Sequence, residues 1–503
     1  MNYISTRGSE KNVSSAYAIA NGLAKDGGLY TAEVLPKLTD ADFKAISQLD
    51  YSDRAAYILG MFLSDFSESE LKEYTRKAYS PEKFKRAGTP KCGDAKVDGT
   101  AVKKLSDKEY ILELFHGPTS AFKDMALQIL PYLLTASLKK IGEERTVCIL
   151  VATSGDTGKA ALEGFRDVEG TKIAVFYPQF GVSDVQKLQM ATQKGNNVGV
   201  CAVDGNFDDA QTGVKRIFSD KDIAAKLNEQ GKFLSSANSI NWGRLAPQIV
   251  YYISAYCDMA ASGDIAFGDK INICVPTGNF GNILAAYIAG EMGLPVNKFI
   301  CASNVNNVLT EFINTGVYDK NRQFYKTLSP SMDILISSNV ERLLYYMSQD
   351  SEYVAELMGK LNKCGKYELN DECKAKLQSA FVAGSCDDNE TKRTIKEVFE
   401  NDKYLIDTHT AVAVKVYREY VEATGDTTPS LIASTASAFK FSAGVMEALT
   451  GETYENDLDS IDALTKYTGE AVPEPLAGLK ELEVRFKRSI PKDGMEDVLF
   501  ELI

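Results

Sequence analysis

A lysine at the start of a strongly apolar helix is the first place in this sequence where chemistry is implied. Lys123 lies in YILELFHGPTSAFKDMALQILPYLLTASLKK, residues 110–140. Residues 110–115 read as a short strand, His116-Gly117-Pro118 as a turn, and Thr119 or Ser120 as the cap of the next helix. Met125, Ala126, Leu127, Ile129, Leu130, Leu133 and Leu134 leave that helix no wide polar face, so it should be buried. Desolvation and the positive end of the helix dipole both disfavour an ammonium at Lys123, which leaves a usable nucleophile, base or Schiff-base former. The competing reading has Lys123 snorkelling to solvent or pairing with Asp124.

Other segments hold groups suited to anions. Gly278-Asn279-Phe280-Gly281-Asn282 follows an apolar strand at 271–275 and opens an apolar helix. Its glycines allow backbone N–H groups to converge at a helix N-terminus, where the dipole favours an anion. No Lys or Arg lies between Pro276 and Gly290 and no GxGxxG occurs, so one phosphate monoester suits the loop better than a nucleotide. The same turn is also a common packing device. Thr153-Ser154-Gly155-Asp156-Thr157-Gly158 follows another strand, and the hydroxyls and N–H groups of residues 154–157 could hold a carboxylate. A Walker reading of this loop fails, because Ala160 stands at the Ser/Thr position and Thr153 at the first glycine. In residues 236–244, Asn238, Ser239, Asn241 and Arg244 gather donors, and arginine is the natural bidentate phosphate ligand; an ordinary surface loop is the alternative. The hydroxyls around Thr435 fit either a helix cap or a cofactor ligand.

The elements that position these groups alternate. Apolar runs at 146–152, 172–177, 198–203 and 271–275 are followed by glycine-containing turns and helical stretches, a pattern that predicts parallel α/β architecture. Residues 1–85 read as an N-terminal helical module, 86–107 as a linker or surface excursion, and 86–503 as the catalytic body. Within that body a small lobe is expected at about 152–235, and a larger lobe at 108–151 and 236–503, with a helical insertion at about 320–405. Long helical stretches are expected at 340–362 and 370–383, and a strand at 430–434.

Composition narrows the classes. A chain of 503 residues with 44% hydrophobic and 25% charged residues is too apolar for disorder and too polar for a membrane-embedded protein. A net charge of -13, with no large basic cluster, argues against nucleic acid, and no apolar run reaches bilayer length. Nine scattered cysteines without a CxxC pair point to free thiols in a reducing compartment, and the N-terminus lacks a signal pattern, so the cytoplasm is expected. His116 and His409 are the only histidines, and no metal site is expected. The sequence leaves monomer and homodimer open.

A lysine in a dry helix, a glycine phosphate cradle and a hydroxyl cluster after separate strands are together what pyridoxal phosphate requires. The segments YISTRG at Tyr3, GLAKDGGLY at Gly22, ELFHGPTSAFKD at Glu113, TSGDTG at Thr153, NFDDAQ at Asn206, NSINWGR at Asn238, PTGNFGN at Pro276, LSPSMDILISSN at Leu328 and STASAFKF at Ser434 carry a resemblance running nearly end to end. With them the chain resembles the threonine synthases, in the long form of fungi and many bacteria, within the tryptophan-synthase-like, fold type II enzymes. The resemblance implies two parallel-sheet α/β lobes and a lyase that converts O-phospho-L-homoserine and water into L-threonine and phosphate. It implies that Lys123 carries pyridoxal 5'-phosphate, that Gly278, Asn279, Phe280, Gly281 and Asn282 hold its phosphate, and that Thr435 offers its ring nitrogen a hydrogen bond. Ser154, Gly155, Asp156 and Thr157 would take the substrate carboxylate, and Asn238 and Arg244 the substrate phosphate. Asp156 departs from the Asn of shorter relatives, Thr408 from a frequent Pro before His409, and Ala438-Phe439 from a frequent Pro-Tyr. Within the cofactor class a dehydratase or cysteine synthase is the runner-up. A nucleotide-dependent oxidoreductase would need the missing fingerprint, and a noncatalytic binding module would explain only an acidic chain.

Overall fold

The computed structural model describes residues 1–84, 101–179 and 182–503. Two sheets organise it. The larger has the strand order Phe381–Ser385, Val296–Ser303, Ile271–Pro276, Ser430–Ser434, Glu109–Glu113, Ala101–Lys104, parallel throughout except for the last strand. The smaller runs Ser489–Pro491, Val198–Asp204, Thr171–Pro178, Thr146–Ala152, Lys232–Ser235 and is wholly parallel.

Both faces of each sheet are buried, which is why the strands read as apolar runs rather than as alternating ones. In the larger sheet Ile273, Leu112 and Leu431 face the main core, while Cys274, Ile111 and Ile432 face a second core under the helix Thr408–Thr424. In the smaller sheet Val147, Ile149 and Val151 face the main core, and Cys148 and Leu150 pack with Val498 and Leu499 of the helix Met495–Leu502. No helix among the described residues is long and apolar enough to cross a membrane.

Residues 1–84 combine four helices with a two-stranded antiparallel sheet, Tyr3–Ser5 on Tyr30–Ala32. They are bound to the rest of the chain by buried polar contacts as well as by the shared core. Tyr79 donates to the Met125 carbonyl at 2.9 Å, and Arg54 reaches the Ser254 hydroxyl at 2.8 Å.

Several expectations are corrected. Residues 86–100 of the expected linker lie outside the described residues, and Ala101–Lys104 is an edge strand whose exposed lysines disguised it. The strand Thr146–Ala152, expected in the larger lobe, is hydrogen-bonded into the smaller sheet, and so is Ser489–Pro491. The helix after Lys123 is two helices, Lys123–Leu127 and Leu130–Lys140, because Pro131 has no N–H to continue the first and suits the opening turn of the second. Neither Thr119 nor Ser120 caps the first of them; its N-cap is Phe122, without a side-chain bond. The stretch 340–362 breaks where Gln349 adopts φ 54° and Asp350 caps a new helix. Helix 370–383 ends at Ala380, since Phe381 and Val382 pair with the strand Val296–Ser303.

Candidate active site

Three adjacent strands of the larger sheet, Ile271–Pro276, Ser430–Ser434 and Glu109–Glu113, end on the same side and lead into the glycine loop, Thr435 and the Lys123 segment. Two adjacent strands of the smaller sheet, Thr146–Ala152 and Lys232–Ser235, lead into residues 153–157 and 236–244. Loops at the carboxyl ends of parallel strands form the natural ligand crevice of such sheets. Here the two sets meet: Lys123 Nζ lies 3.8 Å from Asp156 Oδ2, and Asn339 Nδ2 donates both to Ser239 O at 3.2 Å and to Asn279 O at 3.1 Å.

Lys123 is the first residue of its short helix, with a side chain 13% exposed. Nζ lies 3.4 Å from Ser331 Oγ and 5.3 Å from the Phe122 ring centroid. Burial pushes the amine down to about 8; Asp156 opposes that shift, and the Arg244 and Lys440 cations add to it. Asp124 turns away, accepting bonds from Thr119 N at 2.8 Å and Thr119 Oγ1 at 2.7 Å. The segment before Lys123 is strapped to the end of the central strand, since Phe122 N donates to Thr435 O at 2.8 Å and Ser437 N to Ser120 O at 3.1 Å. Thr435 therefore sits beside Lys123, and its hydroxyl has no partner among the described residues.

The glycine loop is held from outside by its carbonyls. Ser337 Oγ donates to Gly278 O at 2.7 Å, and Asn339 N to Asn279 O at 3.1 Å. Phe280, at φ 61°, turns the chain into the helix Gly281–Met292, which has no side-chain cap, so its first N–H groups remain available to a ligand. A Cβ on Gly278 would lie 2.6 Å from Ser331 O. One on Gly281 would meet only ordinary contacts, with Asn339 Nδ2 at 3.4 Å, Gln248 Nε2 at 3.7 Å and Ser239 Cβ at 3.8 Å, so two amide nitrogens border this niche. Asn282 Oδ1 accepts from Tyr252 at 2.5 Å, while its buried Nδ2 has no partner among the described residues. Orphan donors at a helix N-terminus fit a phosphate ester.

Across the crevice Gly155, at φ 135°, opens the helix Asp156–Phe165, again without a side-chain cap. Thr153 Oγ1 braces the turn by accepting from Gly155 N at 3.0 Å and Gly158 N at 2.8 Å. Ser154 and Thr157 are half-buried, and their hydroxyls are unpartnered among the described residues. Asp156 is buried and its Oδ1 is occupied, by Lys440 Nζ at 2.5 Å and Gln186 Nε2 at 2.8 Å. Burial alone would raise this carboxyl, but the Lys440 and Lys123 cations hold it well below the usual range. Arg244 is 4% exposed and donates to Ala237 O at 2.7 Å; it has no carboxylate partner among the described residues, and burial pushes it down to about 10. The Asn238 side chain is likewise unpartnered among the described residues. Asn241 has a structural task, capping the helix Trp242–Ala261 through Gly243 N and donating to Ile19 O at 3.0 Å.

Sequence reasoning missed Ser331, Gln186, Lys440 and Arg342. The fully buried Arg342 bonds Tyr30 O, Ser239 O, Ile240 O and Asn339 Oδ1, tying the N-terminal residues to the 236–244 segment and to the Asn339 amide that braces the 278–282 loop. His409 Nε2 accepts from Ser331 N at 3.2 Å while Nδ1 meets Asp407 Oδ1 at 2.9 Å. His116 bonds Glu113 at 2.8 Å on the rim. The legible signal was lysine in an apolar run: Lys440 stands among Ala438, Phe439 and Phe441 much as Lys123 stands among its neighbours.

A buried lysine on the loops that join two largely parallel sheets, with a glycine loop opening an uncapped helix beside it, is the arrangement of a fold type II pyridoxal phosphate enzyme, and the family model for pyridoxal-phosphate dependent enzymes matches residues 99–365. Models for the threonine synthase N terminus and C-terminal region match residues 2–79 and 410–498. The chain is 38% identical to a threonine synthase of Pseudomonas aeruginosa over 90% of this chain and 91% of the relative, and 34% identical to that of Saccharomyces cerevisiae over 96% and 94%. It is 42% identical to human threonine synthase-like 1 over 88% of this chain, and spans only 59% of that longer relative. A crystal structure of threonine synthase from Brucella melitensis, described as pyridoxal-phosphate-bound, superposes with TM-score 0.85 at 35% identity, covering 99% of this chain and 98% of that one; the yeast enzyme gives 0.86 at 31%, with the same coverage. The chain belongs to the threonine synthase family.

Proposed function

We propose that this chain is a pyridoxal-phosphate-dependent lyase that converts O-phospho-L-homoserine and water into L-threonine and phosphate. The observation that carries this reading is Arg244, a guanidinium 4% exposed, close enough to Lys123 to depress its amine, with one neutral carbonyl as its side-chain partner among the described residues. A buried cation without a carboxylate is a receptor for an anion, and a phosphorylated amino acid supplies one.

When bound, pyridoxal phosphate supplies an electron sink for negative charge formed at the substrate carbons. Lys123 would hold it, and Lys123 Nζ would move the α-proton and then a β-proton; an amine near 8 suits both tasks. The 278–282 loop and the Asn282 amide would hold the cofactor phosphate, and Thr435 would offer a hydroxyl to its ring. Ser154, Gly155 and Thr157 bind the substrate carboxylate with hydroxyls and N–H groups. Asp156, whose carboxylate is engaged by Lys440, contributes there through its backbone. Asn238 and Arg244 would hold the substrate phosphate as the bond from Cγ to oxygen breaks and phosphate leaves; a proton is then delivered to Cγ, water adds its oxygen to Cβ and loses a proton, and a proton returns to Cα. Seven of the eight described cysteines are buried and all eight are free, which supports the reducing cytoplasm as the site of action.

The test is borohydride reduction of the cofactor-loaded protein with peptide mapping, beside phosphate and threonine release from O-phospho-L-homoserine. A label on Lys123 with equal amounts of both products is expected. A label elsewhere removes the cofactor assignment, and a correct label without phosphate release removes the substrate.

A further inference from the structure

Lys440 is wholly buried in a short helical turn, Ala438–Phe441, between apolar neighbours. Taking an ammonium and a carboxylate out of water is costly, and a pair of hydrophobic residues would often replace such a buried ion pair without loss of stability, so the Lys440–Asp156 pair points to a role beyond stability. Lys440 Nζ makes two contacts, with Asp156 Oδ1 at 2.5 Å and Thr119 O at 3.0 Å. Both partners belong to the Lys123 site: Asp156 Oδ2 lies 3.8 Å from Lys123 Nζ, and Thr119 holds Asp124 of the Lys123 helix. The carboxylate thus lies between two lysines, in hydrogen-bond contact with Lys440 and beyond that distance from Lys123.

We infer that Lys440 is a positioning residue for Lys123: it keeps Asp156 ionised and turned aside, so that the Lys123 amine is not captured in a full salt bridge and remains free to react. The inference rests on Lys123 being the reactive amine of the proposed function. The charged groups facing Lys123 are Asp156 from one helix, Arg244 from a second and Lys440 from the turn, with His409 reached only through Ser331. Those around Lys440 are Asp156, Lys123, Asp124 and, at longer range, Lys159. Without Lys440 the Asp156 carboxylate would have one cation left to pair with, and Lys123 would hold its proton to higher pH.

The experiment is competitive acylation of the cofactor-free full chain with acetic anhydride across pH, read at Lys123 by peptide mass spectrometry. In the wild-type protein Lys123 should label with a midpoint near 8. A midpoint in the ordinary lysine range overturns the inference. Lys440→Gln keeps a donor for Asp156 and removes the charge, and should move the Lys123 midpoint up by about one pH unit or more. An unmoved midpoint with only a lower Tm would make Lys440 structural and overturn the inference. Asp156→Asn combined with Lys440→Met removes the pair as a neutral unit and guards against a misfolded single variant. Its midpoint should stay at or below the wild-type value, and a rise overturns the inference. The readout is the amine itself, so absence of phosphate release from O-phospho-L-homoserine would end the proposed function without touching this result.

Discussion

Arg244→Gln should make the protein a worse enzyme without making it a less stable one. The guanidinium is 4% exposed and is pushed down to about 10 by burial. A base whose folded value lies below its ordinary one destabilises the fold at every pH below both, so at neutral pH the charge costs about 3 kcal/mol of stability. That cost fades only as the pH rises through the two values. Glutamine removes the charge and keeps a donor toward Ala237 O, so Tm should hold or rise. Toward a phosphate dianion the same charge in a dry site contributes about 2–5 kcal/mol, and its loss should lower kcat/KM by about 30-fold to several thousandfold. Phosphate release from O-phospho-L-homoserine, cofactor absorbance and thermal unfolding on one preparation separate the effects. A Tm lower by several degrees together with wild-type kcat/KM would refute the reasoning and return Arg244 to the structural residues.

Lys123→Ala should keep its circular dichroism and lose many orders of magnitude in phosphate release; turnover near wild type would remove Lys123 from the chemistry. Gly281→Val should fill the amide-bordered niche and Gly278→Ala should meet Ser331 O, so both should lose cofactor on dialysis, but only the second should lower Tm. Cofactor uptake by the cofactor-free enzyme should rise with pH and level off above about 8, as Lys123 loses its proton; a stopped-flow profile still climbing at pH 10 would contradict the depressed amine. The depressed Asp156 carboxyl contributes stability that is present above its ordinary range and lost as pH falls through its lower folded value. Replacing Asp156 and Lys440 together by Asn and Met should therefore flatten the fall of Tm between about pH 5 and 2.

Much of the scaffold was legible because burial on both faces writes a strand as a plain apolar run, as at Thr146–Ala152 and Ile271–Pro276. Ser489–Pro491 was not, being three residues with one buried side chain and a proline, too short for any periodicity. Lys123 stood out through its neighbours, and the glycine loop through its place between a strand and a helix. Lys440 carried the same local signal, but its meaning depends on Asp156, which only the packing of the two sheets brings beside it. Arg342 gave no signal, because an arginine in VERLLYYMS reads as the polar face of an amphipathic helix, and its partners are carbonyls from distant loops. The break before Pro131 follows from proline's missing N–H, a local rule that the uniform apolarity of the stretch obscured.

The pairing of Ser489–Pro491 with Val198–Asp204 has a consequence for the growing chain. Ser489 lies opposite Ala202, so the outer edge of the smaller sheet stays bare while nearly three hundred intervening residues are made. At ordinary ribosomal speeds that interval is about 15 to 60 seconds. For that time the row of unpaired N–H and C=O groups along Val198–Asp204, backed by the apolar side chains that Val498 and Leu499 later cover, is a template for pairing with another nascent chain. Chaperone demand during synthesis should concentrate on this edge, and a peptide spanning residues 484–503, supplied in trans to a chain lacking them, should suppress aggregation by occupying it.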